Sequence, residues 1–311
     1  MSFLRNYKVA YQIYNFFKKD QLVHNLPLYK KYGLKKKYFS SISSEDFKDI
    51  HGEVNKFDRL DSKIEMPKDP AFQQLEPKIQ NALLNWSRDG YAILESFLSS
   101  EQVDQINKEV DTMIDKKEAN WRYRNKIMFA INRSKLLKGI AHHPIIISTL
   151  ELLLSRKVSV FQSINFLTGS QQRTHSDSIH MTTFPYGNLI AIWIALEDIT
   201  PDCGPLHYYP GSHNLPYIMN ADFGNVGTAL KLGNKTYEAY EDKIEEIVSR
   251  EKLEKKVFLA KKGDILIWHP NLLHGGDAVT NPDSSRKSMV LHYYADDCIC
   301  FHEVTQRPTL K

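Results

Sequence analysis

Between Val158 and Ala295 the chain is a succession of short apolar runs: VSVFQSINFL, LIAIWIALEDI, PLHYYP, DILIWHP and KSMVLHYYA. Turn signals punctuate them, in PDCG, PGSH, KKGD and NPDSS. Glycine, proline, asparagine and aspartate supply the backbone angles of tight turns, and each run between them has the length and residue types of a strand. Parallel strands need crossovers, usually helical, and apart from one insertion no helical pattern separates these runs as successive βαβ units would require. The strands must therefore pair antiparallel, in a sandwich or barrel. One stretch breaks the pattern: residues 214–257, including KTYEAYEDKIEEIVSREKLEKK, read as a mostly helical insertion between two strands. Upstream, WSRDGYAILESFLSSEQVDQINKEVDTMI predicts a short strand, a turn and a helix capped at Ser99 or Ser100.

With 311 residues, 42% of them hydrophobic and 25% charged, the chain has ample material for a packed core. No apolar run approaches the roughly 18 residues that span a bilayer. The first 17 residues break their apolar character at Gln12 and Asn15, and no secretory signal is expected. Cys203, Cys298 and Cys300 are odd in number and form no CxxC pair, which predicts a reducing, cytoplasmic setting. The net charge of +4 conceals an asymmetry. Residues 1–40 hold nine Lys/Arg against the single acid Asp20, a net of +8, so the remainder carries −4. The chain divides into a basic, partly helical extension (1–80) and a main domain (81–311), and a chain that is net acidic beyond residue 40 does not have the profile of a nucleic-acid-binding domain. Phe3, Tyr7, Ala10, Tyr14 and Phe17 recur at helical spacing, which predicts a helix docked on its own domain. The alternative reading is a weak peripheral contact between residues 1–40 and an anionic membrane surface.

Two of the twelve histidines stand out. In QQRTHSDSIHM, His175 and Asp177 are one residue apart, which on extended backbone points both side chains to one face. An imidazole and a carboxylate from one edge are two legs of a facial triad, the arrangement that suits non-haem Fe(II) with open positions. In KKGDILIWHPNLLHGGDAV, His274 ends a loop that Gly275 and Gly276 allow to bend closely, and it supplies a third leg; His269 competes for that role. Further on, Arg286 and Ser288 share a face of the last long strand. A guanidinium there wants a carboxylate, and no acidic partner is evident in the strand, so a carboxylate-bearing small molecule would serve.

HSD, a distal HGG and then RKS, with IWIALEDITPDCGPLHYYPGSH between, closely resemble the phytanoyl-CoA dioxygenase (PhyH-like) family of Fe(II)/2-oxoglutarate-dependent oxygenases. The resemblance covers roughly residues 86–296. It implies a mainly β fold, a double-stranded β-helix (jelly roll, cupin-like) with helices packed on the major sheet. It implies His175, Asp177 and His274 as the catalytic iron ligands, and Arg286 as partner of the distal 2-oxoglutarate carboxylate, assisted by Ser288; Arg173 is the next choice. Gln162 and Asn165 in FQSIN, and Trp193, become candidates beside the co-substrate. The activity implied is hydroxylation of a C–H bond of a small molecule, with O2 and 2-oxoglutarate consumed and succinate and CO2 released. The alternatives are a cupin-like metalloenzyme that does not use 2-oxoglutarate and a catalytically silent ligand-binding module. Two departures stand: Gly276 replaces a Ser or Thr common in members, and residues 1–80 match nothing in the family. The related halogenases have Gly or Ala where this chain has Asp177, which speaks for hydroxylation.

The insertion is expected to form a substrate lid. Tyr237, Tyr240, Ile244 and Ile247 make an apolar stripe, with Glu241, Asp242, Glu245 and Lys252 on a solvated face and Gly224, Gly227 and Gly233 as hinge positions.

Overall fold

The structure is a computed structural model and describes residues 7–122 and 125–310. Its strands are β1 (Tyr91–Leu94), β2 (Trp121–Arg122), β3 (Lys126–Met128), β4 (Val158–Phe166), β5 (Thr182–Phe184), β6 (Leu189–Ala195), β7 (Leu206–Tyr208), β8 (Lys256–Phe258), β9 (Ile265–Trp268), β10 (His274–Gly276), β11 (Ser288–Ala295), β12 (Ile299–His302) and β13 (Arg307–Pro308). The major sheet runs β1-β9-β6-β11-β4-β3-β2, a minor sheet runs β10-β7-β8, and a third runs β13-β12-β5. Pairing within them is antiparallel, as the turn spacing predicts.

The side-chain period of two sorts the major sheet into two faces. Ile190, Ile192 and Ile194 of β6 join Ile265, Ile267, Met289 and Leu291 in one apolar cluster. The alternate residues Ala191, Trp193 and Ala195 join Leu266, Trp268, Val290, Leu206 and Tyr208 in another. The first cluster lies under helices and the second lies between the major and minor sheets. With both faces covered, every residue of β6 is buried, so LIAIWIA reads as a continuous apolar run. This is the expected jelly roll with helices on its major sheet.

Five helices matter below: α1 (Lys8–Phe17), α2 (Ser100–Asp115), α3 (Lys135–Ala141), α4 (Pro144–Leu154) and α5 (Tyr237–Arg250). Helices α2, α3 and α4 cover the sheet. Ser99, not Ser100, caps α2, and Gln102 completes a capping box. Val103, Ile106, Val110 and Met113 then bury one stripe of that helix. The insertion is α-helical only in its second half, with a 3-10 turn at Asn220–Phe223 before it. Residues 224–234 carry glycine and asparagine in GNVGTALKLGN, and Asn225 takes the place of helical bonding there: its Oδ1 accepts from Lys235 N–H at 3.1 Å, and its Nδ2 donates to Asn220 Oδ1 at 2.7 Å.

The N-terminal segment is fastened to the body. Glu303, fully buried, accepts from Ser44 N–H at 2.8 Å and Ser44 Oγ at 2.7 Å. Phe47 stacks on Phe184 with ring centroids 4.0 Å apart and lies against Phe301. Phe57, Met66, Phe72 and Ile79 belong to the same apolar cluster as α2 and α4. Helix α1 differs from expectation. Phe3 lies outside the described residues, Tyr14 and Phe17 are exposed, and the one residue of the helix fully buried is Asn15. Phe47→Ala should destabilise the protein by about 3–4 kcal/mol, the cost of a cavity plus a lost aromatic stack; urea denaturation of the variant beside wild type measures it.

Candidate metal centre

The His175–Asp177 segment follows β4 of the major sheet while His274 opens β10 of the minor sheet, and the backbone brings them together. His175 N–H donates to His274 C=O and His274 N–H to His175 C=O, each at 2.9 Å, an isolated antiparallel bridge across 98 intervening residues. Residues that exchange both bonds lie directly opposite and share a face, so the two imidazoles stand side by side, ring centroids 4.5 Å apart. Gly275 and Gly276 are needed here for size. A Cβ on Gly275 would lie 2.7 Å from Gln172 O, and Gly276 N–H donates to that same carbonyl at 2.9 Å.

Each imidazole is oriented by its own neighbourhood. His175 Nδ1 bonds Arg173 O at 2.9 Å and His274 Nδ1 bonds Leu272 O at 2.9 Å. A carbonyl accepts only, so both Nδ1 atoms carry the proton and both Nε2 atoms present lone pairs. Asp177 Oδ1 faces them, 4.0 Å from His175 Nε2 and 3.8 Å from His274 Nε2. Its other oxygen, Oδ2, accepts from Trp268 Nε1 at 2.8 Å and lies 3.6 Å from His292 Nε2. Gln172 Nε2 lies 3.1 Å from His175 Nε2.

All three side chains are buried. Burial, reinforced by His274 and opposed by Asp177, holds the His175 imidazole well below its ordinary pKa and therefore neutral. Burial alone would push the Asp177 carboxyl up, but His274, His292 and His175 together outweigh it and hold the group well below the carboxylate range. Neutral imidazole and ionised carboxylate are the protonation states a divalent metal requires. These three are the group among the described residues whose donor atoms, all within 4.8 Å of one another, could hold an ion. Two nitrogens and one oxygen leave coordination positions open, the donor set of a non-haem iron centre.

The remaining candidates divide. Arg286 is buried and donates to Gly204 O at 3.1 Å, while its Nε has no partner; Ser288 Oγ and Trp193 Nε1, also buried, have none either. Arg286 lies over the rings of Phe166 and Trp193, at 5.4 and 5.9 Å, and burial lowers its pKa to about 10. Trp193 pairs with Val290 on the face toward the minor sheet, and the strand's alternation puts Ser288 and His292 on that face too. Gln162 is in register with His292 and shares it. Asn165 does not, being opposite Met289 and Ile127 on the helix-covered face. His269 is not brought to the triad: its Nδ1 accepts from Asn271 N–H at 3.1 Å and its Nε2 lies 3.4 Å from Asp58. Nor is Arg173 at the Arg286 pocket, since it pairs with Glu241, Asp242 and Glu245 of α5.

Sequence reasoning missed Trp268, His292 and Lys126. The alternation Arg286, Ser288, Val290, His292 was a signal for His292, and Trp268 immediately precedes the rejected His269. Lys126, on β3, lies 5.1 Å over the Phe166 ring that Arg286 also approaches, and burial and Arg286 both lower its pKa. Nothing in the sequence linked it to a segment 160 residues away.

A family model described as phytanoyl-CoA dioxygenase (PhyH) matches residues 86–288. The chain belongs to that family. Its enzyme class and cofactors are those expected from the sequence: Fe(II)/2-oxoglutarate-dependent dioxygenases. The chain is 27% identical over 177 residues to a phytanoyl-CoA dioxygenase domain-containing protein 1 of Danio rerio, covering 54% of this chain and 56% of that protein. It is 24% identical to an ectoine dioxygenase of Nocardia farcinica over 71% of this chain and 81% of that one. The fold is shared with the non-heme alpha-ketoglutarate-dependent carbocyclase SnoK from nogalamycin biosynthesis, at TM-score 0.57 and 17% identity, over 75% of this chain and 89% of SnoK.

Trp268→Phe removes the donor that fixes Asp177 while keeping the ring's bulk. Partners that orient a ligand are typically worth roughly 10- to 100-fold in metal affinity. Anaerobic Fe(II) titration followed by calorimetry should show a loss in that range, with the thermal transition of the metal-free protein little changed.

Proposed function

We propose that this chain is an Fe(II)- and 2-oxoglutarate-dependent dioxygenase that hydroxylates a C–H bond of a small-molecule substrate. The observation that carries the reading is the coexistence of two features on one face of the jelly roll. His175, Asp177 and His274 form a metal-ready triad, and Arg286 Nε, Ser288 Oγ and Trp193 Nε1 are buried without partners. Buried donors left unpaired cost about 1–3 kcal/mol each, so three on one face imply a ligand that accepts from them. A carboxylate answers that need, and Lys126 adds a second positive charge nearby. The chemistry an iron ion would bring to the triad is activation of O2 coupled to decarboxylation of 2-oxoglutarate to succinate and CO2.

The protein's own part is binding, orientation and exclusion of water. Trp268 and the two backbone carbonyls hold the ligand atoms, while Arg286 and Ser288 orient the oxoacid. Helix α5 acts as the lid: Tyr240 and Ile244 are buried with Ile179 and Leu273, residues that flank the metal ligands on both segments. The three cysteines are free and buried, and we assign the enzyme to the cytoplasm on that basis.

Two outcomes test this reading. Arg286→Ala should weaken 2-oxoglutarate binding by about 2–5 kcal/mol, as for one partner of a buried charged contact, and leave Fe(II) affinity nearly unchanged. Anaerobic titration, followed through the visible charge-transfer band of the iron–oxoacid chelate, measures both. Iron-loaded wild type that shows no 2-oxoglutarate binding would overturn the proposal. Arg173→Ala, which releases α5, should keep 2-oxoglutarate binding and raise succinate formation relative to oxidised product, because water reaches the site more freely. An unchanged coupling ratio would make α5 scaffolding.

A further inference from the structure

We propose that the N-terminal helix docks the protein on an anionic lipid surface. In α1 the amphipathic pattern is turned outward. Val9, Ile13, Phe16 and Phe17, at i, i+4, i+7 and i+8, occupy one arc of about 100° on the helix. They are 46%, 55%, 48% and 78% exposed. The opposite side faces the protein and is polar: Asn15 is buried and donates to Phe39 O at 3.1 Å, and Arg307 covers the rings of Tyr11 and Tyr14 at 5.2 and 5.8 Å. A helix selected only to dock on its own core would bury the phenylalanines and leave the asparagine in water.

The apolar surface continues past the helix. Lys8 N–H donates to Leu230 O at 2.9 Å, which holds the insertion's exposed Val226 and Leu230 beside the start of the stripe. Val23 and Leu26 are exposed in the segment that follows the helix. Lys19 lies over the Phe16 ring and Lys37 over Phe39, which meets Phe16 edge-on; Lys18, Lys30, Lys31 and Lys35 are also exposed in the segment that follows, and Asp20 is the one acid among residues 7–40. Lys36 is spoken for by Asp46 at 2.8 Å.

The two properties together select the partner. Each Lys near an anionic membrane surface contributes attraction, and an exposed stripe of Phe, Ile and Val inserts at the headgroup boundary while lysine stems reach the phosphates. Nucleic acid would answer the charge but leave the phenylalanines in water. A second copy of this face would bring lysine against lysine, an arrangement that costs free energy. Among the described residues no helix is long and apolar enough to cross a membrane, so the contact is peripheral.

Co-sedimentation of the full chain with vesicles tests this. The protein should partition to phosphatidylcholine mixed with phosphatidylglycerol, barely to phosphatidylcholine alone, and less as salt rises. Phe16→Ser with Phe17→Ser, and separately Lys18→Glu with Lys19→Glu, should each lower partitioning by about tenfold or more while the thermal transition stays in place. Wild type that fails to bind mixed vesicles, or variants that bind as well as wild type, would overturn the proposal. So would light scattering that shows a dimer which the Phe16→Ser, Phe17→Ser variant splits, since the stripe would then belong to a second copy.

Discussion

Two hydrogen bonds between His175 and His274 hold the chemistry of this protein in place. They are ordinary backbone bonds, but they join the segment after β4 to the strand β10 across 98 intervening residues and put two imidazoles on one side of the pair. The rest of the centre follows. With each Nδ1 committed to the carbonyl two residues earlier in its own segment, neither ring can turn its Nε2 away. Asp177, one residue beyond Ser176, then has one oxygen for the triad and one for Trp268. Orientation is thus fixed mainly by the main chain, which side-chain substitution disturbs least.

The jelly roll supplies a division of labour between the faces of its major sheet. Asn165 and Ser163 apart, the helix-covered face is apolar, and the isoleucines of β6 and β9 carry it. The inner face holds Trp193, Arg286, Ser288, His292 and Trp268, a mixture that would be expensive to bury without ligands to satisfy it. A closed apolar face that stabilises the fold permits an inner face whose polar groups wait for partners. Arg286 illustrates the trade: burial lowers its pKa to about 10, yet it sits between two aromatic rings rather than beside a carboxylate.

Helix α5 and the N-terminal segment attach to this frame by different physics. Ile244 and Tyr240 join a cluster with Ile179 and Leu273, and Tyr240 accepts from Ser176 N–H at 3.0 Å, between the two ligands of the first segment. On the helix's outer side Glu241, Asp242 and Glu245 converge on Arg173, two residues before His175. The carboxylates expected to be a solvated face are therefore half of a clamp. The N-terminal segment is fastened instead by Glu303 and the Phe47 stack, and α1 beyond it turns its apolar side to solvent.

Much of this was legible in the sequence because it is local. Short apolar runs, turn residues and the Ser99 cap depend on neighbours within a few positions, so the strands and α2 could be read directly. The H-x-D pair, the distal HGG and Arg286 with Ser288 were legible for the same reason: each fragment fixes which side chains share a face. What the sequence left undecided were relations between fragments. Whether His269 or His274 completes the triad depends on which backbone pairs with His175, and that pairing forms only when β10 meets the segment after β4. The resemblance of FQSIN makes both Gln162 and Asn165 candidates beside the co-substrate, but the register of β4 against β11 turns Asn165 to the helix-covered face. Trp268 and Lys126 carried no local mark, since a tryptophan in an apolar strand and a lysine on a three-residue strand are ordinary until tertiary structure puts one on Asp177 and the other beside Arg286. Periodicity likewise marked α1 as amphipathic but picked the wrong stripe, sharing only Phe17 with the exposed arc of Val9, Ile13, Phe16 and Phe17; which side faces the protein was decided by Asn15, Tyr11 and Tyr14 finding Phe39 and Arg307, partners distant in sequence that only the folded chain brings within reach.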